Sequence, residues 1–202
     1  MIQVLLVHDT RLLRTALAAL LEKEPGIEVT TAGWGEVAGL EGRPQVCVVD
    51  MDSPEAAKPH GVRELARRCP AGDGPHSALL ALVSRGRPGP LRLAYEARAL
   101  GYLSKNAAPE HLIEGIRKVA SGERYIDESL GFGFLQAADI PLTTRELNVL
   151  SLAAEGASID EIACGLHLAN GTVRNYMAAI TRKTGARNRV DAIRISRSAG
   201  WL

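Results

Sequence analysis

Five short apolar runs alternate with stretches of helical spacing through the first part of the chain. Ile2–Val7, Ile27–Thr31, Val46–Val49, Ala78–Val83 and Gly101–Leu103 are each too short for a buried helix and read as strands. Between the first two, Leu12, Leu13, Ala16, Leu17, Leu20 and Leu21 recur at spacings of three and four, and Pro25-Gly26 closes that helix. Gly33–Leu40 reads as a weaker helix because Gly35 and Gly39 lower its propensity. Gly61–Cys69 and Pro90–Leu100 read as helices, and Pro109 opens a last one that runs through Leu112, Ile113, Ile116, Val119 and Ala120. Strands apolar on both faces need cover on both faces, so the sheet is parallel with crossover helices. The expected fold class is therefore α/β, a flavodoxin-like doubly wound parallel five-stranded domain. Chemistry in such sheets sits at the carboxyl ends of the strands, which here carry His8-Asp9, Asp50, Ser84 and Lys105.

From Leu142 onward the pattern is helical throughout, which predicts a smaller all-α domain. Thr143 precedes Glu146 at capping-box spacing, with Leu147, Leu150 and Leu152 following, and Ser158 caps Ile159–Leu166. A short turn, His167–Asn170, leads into Gly171–Thr184, Gly185 stops that helix, and Arg187–Ser198 forms the last. Residues 122–140 hold three glycines, the run Gly131-Phe132-Gly133-Phe134 and no helical period, so they read as a linker. Its phenylalanines are free to pack on either domain or on a second subunit. The division expected is 1–121, 122–140 and 141–202.

Charge separates the two parts. The whole chain has a formal net charge of only +1, yet residues 170–202 hold seven basic residues against the single acid Asp191. A basic tail beside a neutral front points to a polyanion partner for the tail. Helix, short turn, helix over Ser158–Thr184 is the geometry that lays a second helix in the major groove of double-stranded DNA. On that helix Val173, Met177 and Ile180 face the core, while Arg174, Asn175 and Ala178 lie on the other side near its start. Arginine can pair twice with guanine and asparagine twice with adenine, and Ala178 offers only apolar contact, such as to a thymine methyl. Asn170, Thr172, Arg182 and Lys183 are placed to reach phosphates.

The remaining features narrow the class. Cys47, Cys69 and Cys164 show no metal or redox spacing, Cys47 reads as a small buried hydrophobe, and the scattered set fits a reducing, cytoplasmic setting. No basic leader or long apolar run argues for a membrane. His60, His76, His111 and His167 have no ligand spacing and read as surface or loop residues, and Trp34 and Trp201 read as packing residues.

Two resemblances follow from these residues. Leu142-Thr143-Thr144-Arg145-Glu146, Glu155-Gly156-Ala157-Ser158, Glu161-Ile162-Ala163, Gly171-Thr172-Val173-Arg174-Asn175 and Gly185-Ala186-Arg187-Asn188-Arg189 resemble the LuxR-type helix-turn-helix of NarL/FixJ response regulators. The resemblance implies a homodimer on paired half-sites, with Arg174, Asn175 and Ala178 at base-reading positions. Val4–Asp9, Cys47–Asp50 and Gly101–Lys105 resemble a response-regulator receiver domain, and Gly86–Gly89 with Gly185–Leu202 look closest to the regulators that control desaturases in Gram-positive thermosensing. For a two-component receiver the family implies phosphoryl transfer from a histidine kinase to Asp50. It also implies Mg²⁺ on the acids after the first strand, a phosphoryl contact from Lys105, a switch hydroxyl ending the fourth strand, and an aromatic, Tyr102, that follows it.

Three departures weaken that chemistry. His8 replaces one oxygen ligand beside Asp9 with an imidazole, which Mg²⁺ disfavours and which is partly cationic just below neutrality. The family's switch position falls on Val83, which has no hydroxyl, and Ser84 lies one residue on. The loop Met51–Gly61 is longer than usual, although Asp52 within it could compensate as a third carboxylate beside Asp9 and Asp50 for Mg²⁺. Either Asp50 is phosphorylated with weaker metal help, or the pocket is degenerate and the domain dimerises constitutively or answers a small-molecule signal; the paired losses favour the latter. A plainer role for His8 is a hydrogen bond to Asp9 or Asp50 that keeps the pocket neutral. Two rivals remain: a module that pairs with another regulator through Gly33–Leu40 and the long loop, and a small phosphotransferase, for which no lid or second catalytic group is present.

Overall fold

The computed structural model describes residues 1–40, 42–58, 61–72 and 76–202. Strands β1 (Ile2–Val7), β2 (Ile27–Ala32), β3 (Val46–Asp50), β4 (Ser77–Val83), β5 (Ala99–Ser104) and β6 (Tyr125–Ile126) form one parallel sheet in the order β2-β1-β3-β4-β5-β6. The doubly wound fold is as expected, with a sixth, two-residue strand added beside β5. β3, β4 and β5 are buried along their whole lengths, which is why their sequences show no alternation.

Helices α1 (Arg11–Leu21) and α4 (Pro109–Ala120) cover one face through Leu21, Leu112 and Ile116, while α2 (Val62–Arg68) and α3 (Pro88–Glu96) cover the other through Val62, Leu65 and Leu91. The weak helix expected over Gly33–Leu40 is a 3-10 turn, Trp34–Gly39, whose glycines leave too few side chains to hold a full helix. Trp34 is buried within it, as expected of a packing residue. The loop after β3 holds a second 3-10 turn, Pro54–Ala57, capped by the Ser53 hydroxyl. His60 lies outside the described residues. Cys47 and Cys69, expected to be unpaired, are joined as a disulfide: 22 residues apart in sequence, they are brought together by the return of α2 over β3.

Residues 122–140 are not a bare tether. Besides β6 they contain α5 (Gly131–Ala138), which packs on α3. Phe134 meets Tyr102 edge to face, with ring centroids 5.1 Å apart at 74°. Phe132 and Leu135, on the opposite side of α5, are exposed.

Helices α6 (Thr144–Ala154), α7 (Ile159–Leu166), α8 (Asn170–Thr184) and α9 (Arg189–Ser198) enclose a separate core built on Leu142, Leu150, Ile162, Val173 and Ile180. The expected capping box of Thr143 with Glu146 is formed, and Ser158, expected as a cap, forms one with Glu161 as well. Among the described residues no helix is long and apolar enough to cross a membrane.

The two domains meet at the loop before α3 and its first turns. Gly89 N donates to Gly200 O at 3.1 Å. Arg92 donates to the carbonyls of Ile140 at 3.2 Å and Leu142 at 2.9 Å, and Thr144 Oγ1 donates to Glu96 at 2.6 Å. A Cβ on Gly89 would overlap the main chain of Trp201, which no side-chain rotation relieves. Alanine otherwise suits a helix's first turn. Gly89→Ala is therefore expected to weaken interdomain docking by about 1–3 kcal/mol, the usual range for overpacking. Small-angle scattering should give a larger radius of gyration, with far-UV circular dichroism unchanged; an unaltered radius contradicts the docking.

Candidate functional site

The sequence-predicted pocket residues gather at the carboxyl ends of β1, β3, β4 and β5. Asp50 is the last residue of β3 and is buried. Its Oδ1 accepts the Asp52 N–H at 2.9 Å and contacts Lys105 Nζ, while its Oδ2 faces His8 Nε2 at 3.4 Å. Lys105 Nζ also lies 2.8 Å from Asp52 Oδ2, so one ammonium sits between two carboxylates.

His8 is buried at the end of β1. Its Nδ1 accepts the Thr10 N–H at 3.0 Å, which leaves Nε2 to carry the proton toward Asp50. Burial lowers the imidazole's pKa; Asp50 pulls it up and Lys105 pushes it down, and the net is below 6.5. His8 is thus neutral at pH 7, and toward Asp50 it makes a polar contact at 3.4 Å rather than the hydrogen bond expected. The cation anticipated just below neutrality is suppressed by burial.

Asp9 does not join this cluster. Its Oδ1 accepts the Trp34 N–H at 3.0 Å and its Oδ2 accepts the Ser53 hydroxyl at 2.6 Å. Asp52 turns instead to Ser84, accepting from its hydroxyl at 2.5 Å and from its N–H at 3.1 Å. The three carboxylates considered for Mg²⁺ are therefore engaged in different directions. Among the described residues no three His, Cys, Asp or Glu side chains are grouped to hold a metal ion. An imidazole and an ammonium flank Asp50 here, whereas Mg²⁺ prefers oxygen donors.

Val83 is buried in the core beneath the pocket, and its carbonyl accepts the Lys105 N–H at 3.0 Å. Tyr102 is buried against Phe134, and burial pushes its phenol up to about 12. Two further residues belong to the pocket without having been singled out for it. Ser53 anchors Asp9. Arg87, inside a run that carried the family resemblance, reaches Asp52 O at 3.5 Å with one guanidinium nitrogen and Leu202 O at 2.5 Å with another. The sequence signal for Arg87 was its place in the run Gly86–Gly89, shortly after β4; its partner 115 residues away was not readable.

In the second domain, His167 adopts a left-handed conformation (φ 53°) that ends α7 and aims α8. Val173 and Ile180 are fully buried, and Met177 is half-buried on the same side. Arg174, Asn175 and Ala178 are exposed, as expected, and Thr172 is half-buried. Two residues placed at phosphates on sequence have partners inside the domain. Lys183 Nζ lies 2.7 Å from Glu146 Oε2, and Asn170 Nδ2 donates to Asp160 at 2.5 Å. Glu146 is buried at the start of α6, where burial would raise its pKa, but hydrogen bonds from Lys183 and from Thr143 more than offset this and leave it lowered.

The rest of the basic tail is similarly committed. Arg189 donates to the carbonyls of Ala153 and Ala157, and Arg197 to that of Ala154. Arg187 and Arg194 pair with Asp191, whose pKa is lowered to about 2 first by the Arg187 N–H and then by Arg194. Among the described residues, Arg174 and Arg182 alone of the seven cations have no hydrogen-bond or ion-pair partner, and both are exposed on α8.

The comparisons with known proteins agree with this architecture. The model of the luxR family of bacterial regulatory proteins (GerE) matches residues 140–196. The chain is 46% identical to the response regulator RamR of Streptomyces coelicolor, over all of this chain and 98% of that protein. It is 34% identical to the transcriptional regulatory protein DesR of Bacillus subtilis over the full length of both. Among solved structures, the response regulator ChrA of a heme-sensing two-component system aligns with a TM-score of 0.52 at 25% identity, covering 100% of this chain and 98% of that one. RcsB of Salmonella enterica, bound to promoter rprA with the phosphomimetic BeF3⁻, aligns with a TM-score of 0.70 at 19% identity, covering 98% and 100%.

Removing one partner of a buried pair leaves the other charge uncompensated. Because Lys183 is partly exposed, Lys183→Met is expected to destabilise the helical domain by about 2 kcal/mol, below the range for a wholly buried pair. It should change the salt slope of DNA binding by less than one ion. Chemical denaturation and a salt titration measure the two; a full loss of one ion with unchanged stability would make Lys183 a phosphate contact after all.

Proposed function

The chain belongs to the response regulators that carry a luxR-type DNA-binding domain, transcriptional regulators of two-component type, and on that premise we propose that its receiver controls DNA binding without phosphorylation of Asp50. The observation that carries this reading is the Lys105 ammonium shared by Asp50 and Asp52. Phosphorylation would replace the single negative charge of the Asp50 carboxylate with the roughly two of a phosphoryl group, a net gain of about one. On Asp50 it would lie beside the Asp52 carboxylate, with one lysine and a neutral imidazole nearby, and among the described residues no three ligating side chains are grouped to hold a metal ion there. The only hydroxyl at the end of β4, that of Ser84, already donates to Asp52, and Val83 has none to offer. The pocket is balanced by the protein's own charges, and it responds poorly to an added anion.

The output follows from α8. Arg174 and Asn175 read base edges in the major groove, Ala178 makes apolar contact, and Arg182, with Thr172, meets phosphate oxygens. Asn170 and Lys183 hold α7, α8 and α6 in register. The working form is a homodimer on two half-sites, supported by the exposed Val190 at the start of α9.

Two measurements test this. Acetyl phosphate with Mg²⁺ is expected to leave the intact mass unchanged, and operator affinity after that incubation is expected to stay within about twofold of the untreated protein. A mass gain abolished by Asp50→Ala would restore conventional phosphoryl control by a histidine kinase. Arg174→Ala should cost about 1–3 kcal/mol and relax base preference at one position in each half-site. An equal loss on every sequence would reduce Arg174 to a phosphate contact.

A further inference from the structure

A cleft of about 380 Å³ lies between α3 and the first 3-10 turn after β3 on one side and α6 and Trp201 on the other. That volume falls within the range of small-molecule sites, which favour domain interfaces. Its apolar wall is formed by Pro90, Leu93, Leu147 and Trp201. Its charged residues are three arginines, Arg87, Arg92 and Arg197, and three acids, Asp52, Glu96 and Glu155, so the lining is neutral in sum.

Each of these charges is already engaged. Arg87 holds Leu202, Arg92 holds Glu96 and two carbonyls, and Arg197 holds Ala154 O. Asp52 is held by Lys105 and Ser84, Glu96 also by Arg63, and Glu155 lies 3.8 Å from Lys58. A charged guest would have to break one of these pairs and lose its own hydration. An uncharged one would not. Asn148 and Ser151, also on the wall, supply an amide and a hydroxyl for one or two orienting hydrogen bonds.

We propose that this cleft is a binding site for an uncharged, largely apolar small molecule, one that binds the docked arrangement of the two domains. The inference rests on the reading that the receiver's input is something other than phosphate. Both walls are needed, so a guest has differential affinity for the docked form and shifts the population toward it. The cleft also touches Asp52 and Arg87, which connect it to the Asp50 pocket on one side and to Leu202 on the other.

The uncharged fluorophore Nile red serves as the probe, titrated against the full chain. Saturable, blue-shifted binding of one dye per chain is expected. Ala154→Trp and Ala57→Trp, small residues on opposite walls, should each weaken it at least about tenfold by filling the space, and two variants guard against one failing to fold. Gly89→Ala, which separates the walls, should do the same. Phe132→Ser, on the exposed side of α5, should leave it unchanged. No saturable binding, or binding lost in Phe132→Ser and kept in the tryptophan variants, overturns the site. A phosphorylated Asp50 in the acetyl phosphate experiment would end the phosphate-independent reading while leaving the dye titration standing, so the two failures are separable.

Discussion

The Lys105 ammonium between Asp50 and Asp52 organises the receiver. Asp50 sits at the end of a strand that is buried throughout, where an ionised carboxylate is costly unless a counter-charge and hydrogen bonds replace water. Lys105 supplies the charge, the Asp52 N–H one hydrogen bond and neutral His8 a weaker polar contact. Stripping one partner from a buried pair costs about 3–5 kcal/mol, so this arrangement constrains its neighbours. It draws the Asp52 side chain inward, which in turn takes the Ser84 hydroxyl and brings Arg87 alongside. Arg87 then spans to Leu202. The charge balance at Asp50 and the seating of the second domain are thus one connected set of polar contacts.

The parts that follow from periodicity were legible in the sequence. Strands buried on both faces leave unbroken apolar runs, and helix starts show in Thr143/Glu146 and in Ser158 because a side chain must satisfy free N–H groups locally. Which face of α8 stays exposed was readable for the same reason, since Val173 and Ile180 had to point inward. What escaped was non-local. Residues 131–138 have two glycines and poor helical propensity, yet they form α5 because Phe134 finds Tyr102 and the helix lies on α3. Tertiary packing overrides propensity there. Cys47 and Cys69 show no telling spacing because the fold, not the sequence interval, brings them together. At the pocket, the identities of His8, Asp50, Val83 and Lys105 were readable, but which way Asp9 and Asp52 turn was not. That depended on Ser53, Trp34 and Ser84 offering better partners.

The basic tail points to the DNA-binding domain, but not to which of its cations are free. Seven cations after residue 170 suggest a broad electrostatic footprint. Five of them are bound to carbonyls or carboxylates of the domain itself, where guanidinium groups close helix ends and tie α9 to α6. An arginine that donates to two main-chain carbonyls is held in one orientation, which limits its reach toward a phosphate. The polyanion signal therefore resides in Arg174 and Arg182, two groups on one helix. Their separation, near the start and near the end of α8, suits a helix whose first turns enter the groove while its far end crosses the backbone.

The docked domains leave α8 exposed, so the contact between them does not work by covering the DNA-reading residues. It acts on geometry instead. Gly89 and Gly200 meet main chain to main chain, and Arg92 reaches the two carbonyls that flank the start of the helical domain. Contacts to backbone fix orientation more tightly than contacts between long side chains, because fewer torsions remain free to absorb a displacement. A dimer that must place two recognition helices about one turn of DNA apart depends on that orientation. On the proposed homodimer, the constraint on DNA binding would be the relative position of two exposed helices, and the loop that holds Arg87 against Asp52 is where the receiver would set it.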